Sequence, residues 1–347
     1  MAIIAPDIGI DLGTSNTMLY VKKKGILIDE PTLVVVGGGR KTTVKAFGED
    51  AKVLLGRTSG EEKAIYPLED GVVKDYNMTR YMLEYFIRKA IGSSRIIRPR
   101  GLITIPCRCK ELERRAVREA ADSAGIRKGA LYLIDKPFAA ALGSALPVFE
   151  PRGSMVVDIG GGTTDVAVIS LGGIVVSRSV RVGGRKMDAA IINYIKRKFN
   201  IEISERTAEE LKIDLGAALP SSDTRRAYVR GLDMVTNLPQ TTEINSAMIY
   251  EALRAPCQAI LSAIQYVLER TPPELAGDVM RSGIHLTGGG ALLSGLDRFI
   301  ATELDMPVLL AKEPLDCAAI GIGKLVEDID LLQRMGPSVP QRDDDDE

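Results

Sequence analysis

With 347 residues, 45% of them apolar and 26% charged, the chain has the length for two domains and the composition of an ordinary globular protein. A formal net charge of −1 and an isoelectric point near 6.1 exclude the strongly basic balance of a nucleic-acid binder, so no nucleic-acid partner is expected. No run approaches the ~20 apolar residues of a membrane span, and the opening MAIIAPDIG is too short and lacks the basic residues of a signal peptide.

Taken in chain order, the first predicted element is a hairpin. IDLGTSNTMLYVKKKG (10–25) reads as strand, tight glycine-containing turn and strand. GGGRKTT (37–43) reads as a loop at the tip of an inserted segment. In GSSRIIRPR (92–100), Ile96 and Ile97 lie between Arg95, Arg98 and Arg100, a pattern that suits insertion beside anionic headgroups; alternatively, the two isoleucines begin the strand leading to GLITIP. Cys107 and Cys109, with Cys257 and Cys317 further on, show no paired metal spacing and read as reduced thiols of a cytoplasmic protein.

The next predicted strand ends in LIDKPFAAALG (133–143). It is followed by VVDIGGGTTDVAV (156–168), three consecutive glycines between two strands, without the lysine of a P-loop or the helix start of a Rossmann turn. TAEELKIDLG (207–216) reads as a helix with Glu209 and Lys212 on one face, and PSSDTRRA (220–227) as a second inserted loop. In GIHLTGGGALLSGLDRFI (283–300), the only histidine, His285, reads as a strand residue rather than the centre of a Ser-His-Asp triad. Its strand runs into Gly288, Gly289 and Gly290, and an amphipathic helix with Leu292, Leu296 and Ile300 on one face is expected to follow. The end, QRDDDDE (341–347), reads as a disordered charged tail.

Shifting the chain along itself by 147 positions (158 − 11) lays the first hairpin on the second: Asp11 meets Asp158, Gly13 meets Gly160, Thr17 meets Thr164 and Gly25 meets Gly172. Two matching hairpins imply an internal duplication. Turns rich in Gly, Ser and Thr expose consecutive backbone N–H groups that attract phosphate oxygens. One such turn from each half, facing across a cleft, would clamp a polyphosphate, with hydroxyls of Thr14, Ser15, Thr163 and Thr164 as added donors. Asp11 and Asp158, just ahead of the turns, would support a hard cation such as Mg²⁺ through water. The third glycine turn would let a flat ring approach the backbone.

These features, in this order, resemble the actin, sugar-kinase and heat-shock-chaperone ATPase superfamily, and within it the MreB-like bacterial actins. The stretches that carry the resemblance are IDLGTSNT, EDGVVKDY, ERRAVREAA, GSMVVDIGGGTTDVAVISLGGIV, AAIINYIKRKFN, ERTAEELKIDLG, TPPELAGDVMRSGIHLTGGGALL and PLDCAAIGIGK, spanning Asp7 to about Lys324. It implies an α/β, actin-like (ribonuclease H-like, duplicated) fold of two domains, each with a large and a small subdomain around a nucleotide cleft. Subdomain IA would comprise 1–31, 76–143 and 317–347, IB 32–75, IIA 144–181 and 248–316, and IIB 182–247. ATP or ADP with Mg²⁺ would be held by Gly13, Thr14, Ser15 and Asn16 on one side and by Gly160, Gly161, Gly162 and Thr163 on the other. Glu209 and Lys212 would flank ribose and adenine, and Gly288, Gly289, Gly290, Ala291 and Leu292 would form the adenosine turn. The resemblance further implies self-assembly into paired head-to-tail protofilaments at the inner face of the cell membrane. Cell-wall elongation proteins such as RodZ and MreC are the implied partners, and rod shape the implied outcome. A plasmid-partition filament and a small-molecule kinase are the rival readings; no stretch can be assigned to a kinase acceptor pocket.

One departure touches the chemistry. The resemblance leads to a glutamate just before the proline of the motif ahead of the hinge helix, whereas here Lys136 precedes Pro137. A cation cannot accept the proton of an attacking water but attracts a terminal phosphate, so slow ATP hydrolysis is expected, with Asp158 acting as base through water. Asp135 is a poor substitute, because adjacent side chains on an extended segment point to opposite faces. The alternative is that Lys136 swings out of the cleft and another group takes over.

Overall fold

Two five-stranded sheets with the same strand order form the frame of the molecule. The computed structural model describes residues 5–38, 43–55, 62–92, 98–220, 225–329 and 331–334. The first sheet contains β1 (Ile8–Leu12), β2 (Asn16–Val21), β3 (Gly25–Pro31), β9 (Gly101–Ile105) and β10 (Leu131–Asp135), ordered β3-β2-β1-β9-β10. The second contains β11 (Ser154–Ile159), β12 (Thr164–Ser170), β13 (Gly173–Val180), β17 (Ile284–Thr287) and β18 (Val308–Leu310), ordered β13-β12-β11-β17-β18. In each, the three hairpin strands are antiparallel and the last two join in parallel.

The duplication extends to register. Asp11 pairs with Met18 in one hairpin and Asp158 with Asp165 in the other, equivalent positions under the same shift of 147 (165 − 18). Each turn is closed alike, by Gly13 N–H donating to the Asn16 carbonyl at 3.1 Å and Gly160 N–H to the Thr163 carbonyl at 2.8 Å. β1 and β11 are buried throughout, so both read as near-continuous apolar runs interrupted by one aspartate.

Helices cover the outer faces. α2 (Tyr76–Ile91) and α3 (Glu111–Ala124) pack on the first sheet around Met82, Phe86 and Val117. α2 starts where Asp75 accepts from the Met78 N–H at 3.0 Å and stops at Gly92, φ 80°. On the second sheet lie α5 (Gly184–Phe199), α6 (Glu205–Leu215), α7 (Ser246–Leu268), α8 (Pro273–Ser282) and α9 (Leu296–Leu304), around Ile191, Leu253 and Ile260. Between the two sheets run α4 (Lys136–Gly143) and α10 (Cys317–Glu327), with α11 (Leu331–Arg334) beyond. Their core joins Leu102 and Ile134 of the first sheet to Val156 and Ile169 of the second.

Smaller sheets are inserted in each half. β4 (Val34–Gly37), β5 (Thr43–Phe47) and β6 (Lys63–Ile65) form one, with α1 (Gly48–Leu54) against it. β7 (Leu68–Glu69) pairs with β8 (Val72–Val73), and β14 (Ile201–Glu202), β15 (Arg226–Asp233) and β16 (Pro239–Asn245) form the other insertion. Parts of the two expected tip loops, residues 39–42 and 221–224, and the acidic tail lie outside the described residues.

One expected helix is shorter than its apolar spacing suggests. Gly289–Leu292 is a single 3₁₀ turn, Gly295 is left-handed at φ 71°, and α9 begins only at Leu296. Leu296 and Ile300 are buried, but Leu292 is exposed in the turn before them. The left-handed glycine breaks the face that the spacing predicted.

Candidate functional site

The two glycine turns face each other. A Cβ on Gly161 would collide with Ser15 Oγ, and one on Gly162 would lie 2.5 Å from Thr14 Oγ1. Only glycine lets the turns approach this closely. Thr14 is further fixed by the Gly71 N–H, which donates to its Oγ1 at 2.8 Å, so the insertion of the first half also touches the turn. Ser15 and Asn16 are exposed at the mouth, whereas Gly162 and Thr163 are buried.

Beneath the turns lies a charged cluster. Thr104 on β9 donates to Asp11 Oδ1 at 2.5 Å, and Thr287 on β17 donates to Asp158 Oδ1 at 2.9 Å, the same arrangement in both halves. The ammonium of Lys136, the first residue of α4, sits 3.2 Å from Asp11 Oδ1. Lys136 therefore points into the cleft rather than out of it. Burial disfavours its charge, but Asp11, Asp158 and Asp165 outweigh burial and hold its pKa above the ordinary lysine value. Burial pushes the Asp158 carboxyl up to about 6, opposed by Lys136 and reinforced by Asp11 and Asp165. Asp135 turns the other way, towards Arg114 at 3.6 Å, as expected for neighbours on an extended segment.

Asp165 is the member that sequence reasoning missed. It is fully buried, directly opposite Asp158 on the paired strand. It accepts from the Cys107 N–H at 3.0 Å and from Thr163 Oγ1 at 2.9 Å, so it ties the second turn to the loop that follows β9 in the other half. The signal was present in the duplication: the equivalent residue of the first hairpin is the apolar Met18, and a buried carboxylate replacing it calls for partners.

The described residues do not form a direct side-chain site for a divalent cation. Asp11 Oδ1 is already shared by Thr104 and the Lys136 ammonium, and no cluster of three or more metal-ligating side chains forms among the described residues. The expectation of Mg²⁺ supported by Asp11 and Asp158 meets a positive charge already in that place.

Other expected residues gather around the second turn. Gly184 N–H and Arg185 N–H, at the start of α5, each donate at 2.9 Å to the carbonyls of Gly160 and Gly161. Lys212 donates to the Gly184 carbonyl at 3.2 Å and pairs with Asp188 at 2.8 Å, which brings α6 to the same turn. Its partner is thus Asp188 rather than Glu209, which is exposed. The third glycine turn lies against β11: a Cβ on Gly288 or Gly290 would strike Ile159. Those two glycines allow that contact, and Gly289 is the exposed one. Ala291 is buried and Leu292 exposed beside it. Ile96 and Ile97 lie outside the described residues. Of the arginines around them, Arg100 is committed to Asp7 by bonds of 3.2 and 2.6 Å.

Two matching sheets, one glycine turn from each facing across a cleft, and paired helices joining the halves define the actin-like class. MreB5 of Spiroplasma citri bound to ADP superposes with a TM-score of 0.88 at 33% identity, covering 96% of this chain and 99% of that one. The same protein bound to AMPPNP gives 0.88 at 34%, covering 94% and 97%. The MamK double helical filament gives 0.75 at 20%, covering 92% and 98%, a likeness of fold. Among curated relatives, the cell shape-determining protein Mbl of Bacillus cereus is 47% identical over 333 residues, 96% of this chain and 99% of its own. The cell shape-determining protein MreB of Escherichia coli is 48% identical over 330 residues, 94% of each chain. The family described as MreB/Mbl protein matches residues 5–334. The chain belongs to the MreB/Mbl family of actin-like cytoskeletal proteins.

Proposed function

We propose that the chain binds ATP and ADP between its two glycine turns and polymerises into filaments that organise cell-wall growth at a membrane face. The observation that carries this reading is the approach of Gly161 to Ser15 and of Gly162 to Thr14 across two halves of one repeated design. ADP and AMPPNP bound to MreB5 of Spiroplasma citri, and the filament formed by MamK, support it. Gly13 to Asn16 and Gly160 to Thr163 would hold the phosphates, while Lys212, with Glu209 at the rim, and Gly288 to Leu292 would hold the nucleoside. The four segments expected from the sequence, with small sheets at 34–65 and 201–245, would be the subdomains that close on the nucleotide.

Assembly would be head to tail, a heterologous contact that leaves an open filament. No helix among the described residues is long and apolar enough to cross a membrane. Membrane attachment would fall to Ile96 and Ile97, flanked in sequence by Arg95 and Arg98, with RodZ- and MreC-like proteins as partners. Lys136 offers no base, so hydrolysis would be slow.

Sedimentation with ATP, ADP or no nucleotide tests the reading, with phosphate release followed in parallel. ATP-dependent pelleting, with faster release by Lys136→Glu than by the parent, is the expected result. A chain that neither binds ATP nor pellets with it is not such a filament protein, and a parent releasing phosphate as fast as the variant refutes the slowed step.

A further inference from the structure

We propose that the Lys136 ammonium is the resident cation of the phosphate cleft, so that the chain binds nucleoside di- and triphosphates with little dependence on a divalent metal ion. The inference rests on the nucleotide reading above and concerns what neutralises the phosphates there. Lys136 leads α4, and its side chain is only 16% exposed. Its Nζ lies 3.2 Å from Asp11 Oδ1 and 3.7 Å from the point where a Cβ on Gly13 would stand. The ammonium therefore lies beside the first glycine turn. Lysine binds phosphate as a compact point charge with three donors.

Placement of the charge is fixed on several sides. Thr104 holds the Asp11 oxygen that Lys136 uses, Thr287 holds Asp158, and Asp165 is engaged by Cys107 and Thr163. A divalent ion taking that place would have to displace the ammonium from Asp11 and would meet its repulsion while it stayed nearby. With glutamate at 136 the same pocket would hold four carboxylates and no cation, and a metal ion would be needed before a polyphosphate could enter.

The test is ADP binding by calorimetry, in Mg²⁺ and in EDTA, for the parent, Lys136→Glu and Lys136→Gln, with circular dichroism as the folding control. ADP avoids turnover. Expected for the parent is a change in Kd of less than about threefold between the two buffers. Expected for both variants is a loss of about tenfold or more in EDTA, with Mg²⁺ restoring Lys136→Glu. A parent whose affinity falls tenfold or more in EDTA overturns the proposal, as does a Lys136→Glu variant that keeps the parent's small ratio. A parent that binds no ADP in either buffer removes the nucleotide reading itself, and the inference with it. Titration of the nucleotide-free parent with Mn²⁺ gives a readout that needs no variant: no saturable site is expected, and a tight one contradicts the assignment.

Discussion

Asp135 and Lys136 are neighbours in sequence with opposite surroundings, and the contrast yields a pH dependence. Burial lifts the Asp135 carboxyl to about 6, with Arg114 opposing and Asp165 adding to the rise. A raised carboxyl pKa means that the folded state holds the proton more tightly than the unfolded state. Its stabilising share is complete below the unfolded value of 3.8 and is lost as pH rises through about 6. Asp135→Asn removes that loss. Urea midpoints of parent and variant are expected to coincide near the acid end, to separate in the variant's favour as pH rises from 3.8 to about 6, and to stay apart by a constant amount above that; a gap that does not grow across that window contradicts the burial argument. The cysteines sit at the other extreme. Burial pushes Cys109, Cys257 and Cys317 up to about 12, and Cys107 higher still beside Asp165, so all four are neutral thiols at physiological pH.

At the scale of elements, the crossing of α4 and α10 depends on two glycines. A Cβ on Gly143 would run into the Cys317 carbonyl, and one on Gly321 into the Ala139 carbonyl, so neither helix can accept even alanine without moving backbone. Gly143→Ala and Gly321→Ala are each expected to destabilise by about 1–3 kcal/mol or more, the range for overpacking. Gly277 in α8 is the control: a Cβ there meets nothing within 4 Å. Gly277→Ala is expected to stabilise by about 0.4–1 kcal/mol through the unfolded chain. Denaturant melts of the three variants decide the matter, and equal effects at all three positions would show that the close crossing is not what the glycines provide.

For the whole molecule, the pair α4 and α10 matters because its core is shared by both sheets and joins the two halves. A ligand held by both turns stabilises the joined state by mass action, about 2.7 kcal/mol at a hundredfold excess over Kd. Gly161→Ala would force Ser15 away and hold the turns apart. ADP is therefore expected to raise the melting temperature of the parent and to leave that of Gly161→Ala nearly unchanged. An undiminished shift in the variant would mean that the nucleotide does not bridge the turns.

The sequence by itself determined the frame. The repeat of Asp, Gly and Thr at one fixed spacing marks two copies of a hairpin, because turn positions tolerate few residue types, and β1-β2-β3 and β11-β12-β13 follow from it. Family membership was likewise legible in motifs spread along the chain. Tertiary structure alone decided what those residues touch. Spacing gave Lys212 to Glu209, but the fold brings Asp188 closer to it; spacing ran a helix through Leu292, and a left-handed Gly295 ended that face. The roles of Gly288 and Gly290 depend on Ile159, more than a hundred positions away (288 − 159 = 129). The direction of Lys136 was open in one dimension. It was settled by Asp11, which arrives from the central strand β1, two strands from β10, with a charge to pair, because electrostatic attraction acts through space and the chain order does not encode it.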